Sequence, residues 1–278
     1  MNNTLNINRL GKVIKYDGAS FFHNLSLTLI ILWAIPVALW LIASLTPNDG
    51  HMEAYMRISM IESLTKILLI LTPAALYKSC NDARKGIGYA MMPASALEKF
   101  ISMVFYCAIA APIVYIAGAL AVDSILALFG GPYEGFAIAG YFNQYEQIRN
   151  VFETNMMMNP EEFDKYTSMM TPAWIIFSDI FSVLMLSSIF MFGNMIFKKR
   201  KTGKMIGIIV LLIILFLIVF VNYVTNHRTM FTYMDADNAE EIIKRFIYIM
   251  IRVAFVVEIV ISVVMLWLTY FKIKTQKY

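Results

Sequence analysis

The sequence predicts an all-α, polytopic membrane protein of six transmembrane helices, with the N- and C-termini both cytoplasmic. Three observations lead there. Of 278 residues, 59% are hydrophobic and only 15% charged, which is too little polar side chain to cover a soluble core of that size. Six stretches each hold about 20 mainly apolar residues, the length a helix rising 1.5 Å per residue needs to cross roughly 30 Å of hydrocarbon. Finally, that parse places fifteen Lys and Arg in the inner segments and six in the outer ones, the asymmetry that retains basic loops in the cytoplasm.

Residues 1–24 form a leader in which Leu5, Leu10, Val13 and Ile14 alternate with Arg9, Lys12 and Lys15, followed by Gly18, Phe21 and Phe22. Two readings stand: an amphipathic segment lying in the inner interface before the chain turns into the membrane, or a disordered basic leader that only enforces topology. The first span, Leu25 to Leu45, starts too late and runs too long for the core of a cleaved signal peptide, so it is expected to remain as a signal anchor. The second, Ile58 to Tyr77, is the weakest, because it must include Glu62 and Lys66 to reach full length. The loop after it secures it: without that span, the basic 78–99 segment would face outward.

The remaining spans are Phe100 to Val122, Ala173 to Phe197, Met205 to Tyr223 and Phe246 to Tyr270. Between the third and fourth, residues 123–171 carry seven acids together with an apolar, glycine-broken start. That mixture suits an irregular outer segment that caps the bundle or dips into the interface. The acidic residues follow suit, three in the inner segments and thirteen in the outer connections. No internal repeat divides the chain, and it reads as a single transmembrane domain.

Composition also excludes function classes. The net charge of +4 follows from the topology, and nucleic acid is not implied. Cys80 and Cys107 read as free thiols. His23, His51 and His227 form no metal motif, and no nucleophile elbow occurs. Thr202-Gly203-Lys204 lacks the upstream glycine of a phosphate-binding loop, so the chain is expected to be neither an ATPase nor another enzyme, and no cofactor or metal is expected. Met156, Met157, Met158, Met169 and Met170 are read as apolar packing rather than a copper site, since no Cys or His accompanies them.

Two groups of residues invite a functional reading. Charges inside spans are costly: Glu62 and Lys66 lie one turn apart on the second span, Asp179 lies in the fourth, and Arg252 and Glu258 lie in the sixth. Either they pair between helices, as Arg252 with Asp179, or snorkel to the interface, or they line a polar path or an ion-coupling site. The second group is the inner segment 84–100, RKGIGYAMMPASALEKF. Pro93 suits a first helical position and Ser95 can bond backbone groups there, which predicts a short helix on the inner membrane face.

Met92-Pro93-Ala94-Ser95-Ala96-Leu97-Glu98-Lys99 resembles the Leu-Pro-x-Ser-Arg element of the permease subunits of type II ABC exporters, which also have six spans per subunit. Ala96 stands where that family usually has a basic residue. The resemblance implies that Pro93, Ser95, Glu98 and Lys99 belong to a coupling helix that docks on a separate ATP-binding subunit. It further implies a homodimer or heterodimer of permeases embedded in a lipid bilayer, the bacterial cytoplasmic (inner) membrane, and exporting an unidentified substrate. A non-transporting accessory or scaffold protein is the alternative.

Overall fold

A computed structural model describes residues 5–46, 51–78, 80, 86–143, 172–226 and 236–275. Six helices in it are long and apolar enough to cross a membrane, and no strand occurs among the described residues. The protein is an integral membrane protein. The first helix spans Ile7–Leu45, the second Ala54–Leu76 and the third Ala96–Leu128. The fourth spans Pro172–Ile196, the fifth Lys201–Asn226 and the sixth Ala236–Thr275, and a short helix, Gly86–Met91, precedes the third.

The first helix starts where the Asn6 side chain accepts from the amides of Asn8 and Arg9 at 3.0 and 3.3 Å, which satisfies two of the donors every helix start leaves open. It then runs unbroken for 39 residues, about 58 Å. The leader is therefore not an interfacial helix that turns into the membrane. It is the opening of the same rod, and Gly18 does not break it. A Cβ on Gly18 would lie 2.6 Å from the Tyr106 hydroxyl, which donates to the Ile14 carbonyl at 2.7 Å. That glycine is there for close approach.

The third helix starts at Ser95, not at Pro93. Ser95 is its N-cap and Glu98 completes a capping box, while Pro93 lies in the bend just before. The proline cannot donate a backbone hydrogen bond, so it closes the preceding turn rather than opening the next helix. Within the third helix Phe105–Ala110 widens into a π-turn. Pro112 follows at once and has no N–H for the carbonyl four residues back, which relaxes the ladder at that point.

Phe21, Leu25, Leu29 and Leu32 of the first helix, Ile61 and Leu68 of the second, and Tyr115 and Ala119 of the third form one buried core. A second cluster joins Tyr77, Cys80, Met103, Cys107, Met191 and Met195, bringing in the fourth helix. That helix packs on both the second and the sixth. The fifth is peripheral, with Val210 through Val219 exposed around the whole circumference. A helix apolar all round needs an apolar surrounding, which the bilayer supplies.

The bundle has two distinct ends. At the basic end Asn6 bonds Glu98, Phe100 packs edge-on against Tyr270, and Lys201 Nζ donates to the Lys78 carbonyl at 2.8 Å. At the opposite end the chain after the third helix folds back over the bundle. The Met52 amide donates to the Pro132 carbonyl at 2.8 Å, Trp40 Nε1 to Gly130 at 3.3 Å, and the Tyr133 hydroxyl to Pro36 at 2.9 Å. Residues 130–137 thus lie against the first and second helices; residues 144–171, with the five methionines, lie outside the described residues.

Two substitutions test this packing with opposite signs. Trp33 ring carbons stand where a Gly118 Cβ would lie, and the ring cannot swing away without losing its 3.0 Å bond to the Tyr115 carbonyl. Gly118→Ala is expected to cost about 1–3 kcal/mol by overpacking. Gly11 has nothing within 4 Å, so Gly11→Ala should add up to about 1 kcal/mol by helix propensity. Thermal unfolding in mild detergent would show a lower midpoint for the first variant and an unchanged or higher one for the second. Burial also pushes the Cys80 thiol up to about 12, leaving almost no thiolate at pH 8. Maleimide labelling of Cys80 should therefore be negligible in folded protein and complete after denaturation.

Candidate functional site

Three of the five charges that the sequence places within spans line a cavity of ≈ 320 Å³ between the second, third and fourth helices and the helical stretch from Ala137. Glu62 and Lys66, one turn apart, line one side of it and Asp179 the other. Glu62 lies about 12 Å along the second helix from Ala54 and Asp179 about 10 Å along the fourth from Pro172. Both are therefore well inside the bundle from its acidic end. The Tyr141 hydroxyl donates to Asp179 Oδ2 at 3.0 Å. Burial, then the neighbouring Asp179 carboxylate, push the Tyr141 phenol up, so it stays a neutral donor.

Thr65 and Ser182 add hydroxyls, and Ile58, Ile61, Ile116 and Leu120 supply apolar walls. Lys66 is within electrostatic reach of Asp179, and Glu258 of the sixth helix is within reach of both. Glu258 Oε2 is buried and accepts no hydrogen bond from the described residues. At Asp179 the structure thus shows a hydrogen bond from a phenol and a nearby cation in Lys66. Arg252 is exposed on the sixth helix and does not line the cavity.

At the basic end the loop residues hold one another. Glu98 is wholly enclosed. Its Oε2 accepts from the Ser95 amide at 2.8 Å, its Oε1 accepts from the Asn6 amide at 2.8 Å and pairs with Arg9 at 3.2 Å. One carboxylate therefore joins the starts of the first and third helices, where helix dipoles favour negative charge. Lys99 Nζ donates to the Tyr89 carbonyl at 2.7 Å and lies over the Tyr89 ring. Asp17 accepts from the Tyr77 and Ser102 hydroxyls at 2.9 and 2.6 Å. Ser95, Glu98 and Lys99 are buried, whereas Pro93 is exposed. Together with Met91, Met92, Arg9, Lys12 and Tyr16, Pro93 borders a groove of ≈ 520 Å³.

A further constellation, at the opposite end, escaped the sequence reading, which placed Arg57 and Asp123 among the outer charges. Arg57 is fully enclosed. Its Nε lies 3.5 Å from Asp123 Oδ1, its Nη2 donates to the Glu134 and Gly135 carbonyls at 3.1 and 2.6 Å, and its guanidinium lies 4.4 Å from the Tyr133 ring centroid. Asp123 Oδ2 in turn accepts from the Ala137 amide at 2.9 Å. The one signal available was that Asp123 interrupts an apolar run that continues to Leu128. Among the described residues, no group of Asp, Glu, His and Cys could hold a metal ion.

No protein-family model matches the chain, and neither a curated protein nor a solved structure does.

Two predictions separate these constellations. Arg57→Ala leaves Asp123 buried without its cation, and Asp123→Asn leaves the enclosed Arg57 guanidinium without its counter-charge; each is expected to cost about 3–5 kcal/mol. Chemical or thermal unfolding in detergent measures both; a loss near zero for Asp123→Asn would show that the ion pair does not dominate. Glu98→Ala removes the acceptor of Asn6, Arg9 and Ser95 together. Hydrogen exchange should rise at the start of the first helix and at 95–99 while Gly130–Ala137 stays protected.

Proposed function

We propose that the protein is a permease-like membrane subunit of an ABC exporter, moving a substrate across the bacterial cytoplasmic membrane with energy from a separate ATP-binding subunit. The observation that carries this reading is the polar cavity. An acid and a base on the second helix, an acid on the fourth and a hydroxyl from the capping segment meet inside an otherwise apolar bundle, where charges are costly and usually serve a pathway. A path through a membrane needs such groups; a bundle that only filled space would not.

The excess of basic residues at the end bearing Arg9, Lys78, Lys201 and Lys272 supports a cytoplasmic position for that end under the positive-inside rule. The ATP-binding subunit would then meet the Pro93 groove, with Ser95, Glu98 and Lys99 acting behind it by holding the loop to the first and third helices. Two copies, or this chain and a second permease, would complete the path. In this scheme ATP hydrolysis belongs to the partner subunit.

A non-transporting scaffold is the second reading, and one observation favours it. Three of the four residues that the resemblance assigns to coupling are occupied within the chain.

Purification in gentle detergent from the native host is expected to recover an ATPase subunit in constant ratio, and Pro93→Glu to release it. Asp179→Asn and Glu258→Gln should each lower transport-coupled ATP hydrolysis several-fold at normal membrane abundance. Recovery of the protein alone, with both variants behaving as wild type, would favour the scaffold. A reporter fused after Thr275 should be active only if its compartment is the cytoplasm.

A further inference from the structure

The first turns of the first helix stand at the depth of lipid head groups. Between Arg57 and Tyr77 the second helix rises about 30 Å, the thickness of the hydrocarbon core. The Tyr77 hydroxyl donates to Asp17 at 2.9 Å, so Asp17 marks the level at which the first helix leaves the hydrocarbon. Tyr16, next to it in the chain, is exposed at the level where aromatic residues with a polar tip collect. Lys12 lies about 7 Å further out and Arg9 about 12 Å, in and just beyond the head-group layer. These three side chains form one wall of the groove of ≈ 520 Å³, and Met91, Met92 and Pro93 form the other.

The wall on the first helix is basic. Glu98 lies sealed behind it and pairs with Arg9 at 3.2 Å. Lys12 is exposed and enters none of the ion pairs among the described residues. Asp17, the next acid along the helix, is buried against two hydroxyls. The undescribed residues on this side, 1–4, 79, 81–85 and 276–278, carry the side chains of Arg84, Lys85 and Lys277 against that of Asp82, so they leave the sign as it is. We propose that this groove binds the head of an anionic phospholipid. Its phosphodiester lies against Lys12 and Arg9, the Tyr16 hydroxyl donates to a phosphate oxygen, and the glycerol and first methylenes run along the exposed Met91 and Pro93. Basic side chains near the membrane surface attract anionic lipid, whereas a zwitterionic head brings its own cation up to Lys12. On the transport reading the ATP-binding subunit meets the groove at its Pro93 edge. This inference goes beyond that reading: it concerns the first-helix wall and needs no such subunit.

The test is native mass spectrometry of the full chain in detergent micelles, titrated with phosphatidylglycerol or phosphatidylcholine of identical acyl chains and, separately, with glycerol phosphate. Phosphatidylglycerol is expected to bind about ten-fold tighter than phosphatidylcholine, and glycerol phosphate not at all. Lys12→Glu should weaken phosphatidylglycerol about ten-fold and Lys12→Arg should retain it. Lys15→Glu changes an equally exposed lysine one turn along the same helix that does not line the groove, and it should leave binding unchanged. A melting curve for each variant reports whether the fold survives. Equal affinity for the two lipids, equal losses in Lys12→Glu and Lys15→Glu, or glycerol phosphate binding as tightly as the lipid would each overturn the proposal. Lipid-free dimers that Lys12→Glu disperses would give the groove to a second copy and overturn it as well. Phosphatidylglycerol preference without any recoverable ATPase would leave this inference standing and remove the exporter; an ATPase complex without that preference would do the reverse.

Discussion

Arg57 is a full positive charge with no access to water, and the opposite end of the bundle is built to meet it. In water a guanidinium is solvated without cost to the fold; enclosed, it needs acceptors placed by the chain. Asp123 supplies the counter-charge, and two consecutive carbonyls, Glu134 and Gly135, both accept from Nη2. Those carbonyls can reach Arg57 only if the chain reverses after the third helix. Gly130, Gly131 and Gly135 at positive φ make the reversal, where other residues would be strained. The second helix, the end of the third and the capping segment are thereby fixed to one another, and Tyr133 carries the contact on to the first helix through Pro36.

The basic end solves the mirror problem with a carboxylate. Glu98 satisfies amides at two helix starts and an arginine at once. Because the first helix is a continuous rod, fixing Asn6 and Arg9 also sets the height at which Asp17 meets Tyr77 and Ser102. A single residue near the start of the third helix thus sets the register of the first, and the aliphatic core that follows, from Phe21 to Leu32, packs at the depth so chosen.

The membrane class and its six helices were legible because length and hydropathy are local properties of the chain, and lipid leaves few other folds open. The extent of the first helix was not. Arg9, Lys12 and Lys15 look like an interfacial leader, and nothing local says that Tyr106, almost ninety positions on, will accept Gly18 as its neighbour. Ser95 and Glu98 were legible as polar residues at a helix start, and their spacing is that of a capping box; that Glu98 also holds Asn6 is a long-range fact. The converging charges were visible as costly residues on separate helices. Their partner Tyr141 was not, since a tyrosine in an aromatic-rich outer segment carries no mark of its role. Arg57 and Asp123 were hidden by their position next to water-facing sequence, where a charge needs no explanation.

The second helix connects all of these groups. It begins beside the Arg57 lock, carries Glu62 and Lys66 into the cavity, and ends at Tyr77, whose hydroxyl is held by Asp17 and whose carbonyl accepts from Asn194 of the fourth helix at 3.0 Å. The second and fourth helices are thus tied to each other near the basic end. Toward the other end, what bridges the capping segment to the fourth helix at the cavity is the hydrogen bond between Tyr141 and Asp179. A net hydrogen bond to a charged acceptor is worth about 1.5–3 kcal/mol. A group that replaced the tyrosine as partner of Asp179 would therefore act on the contact between the capping segment and the fourth helix, at the wall of the cavity.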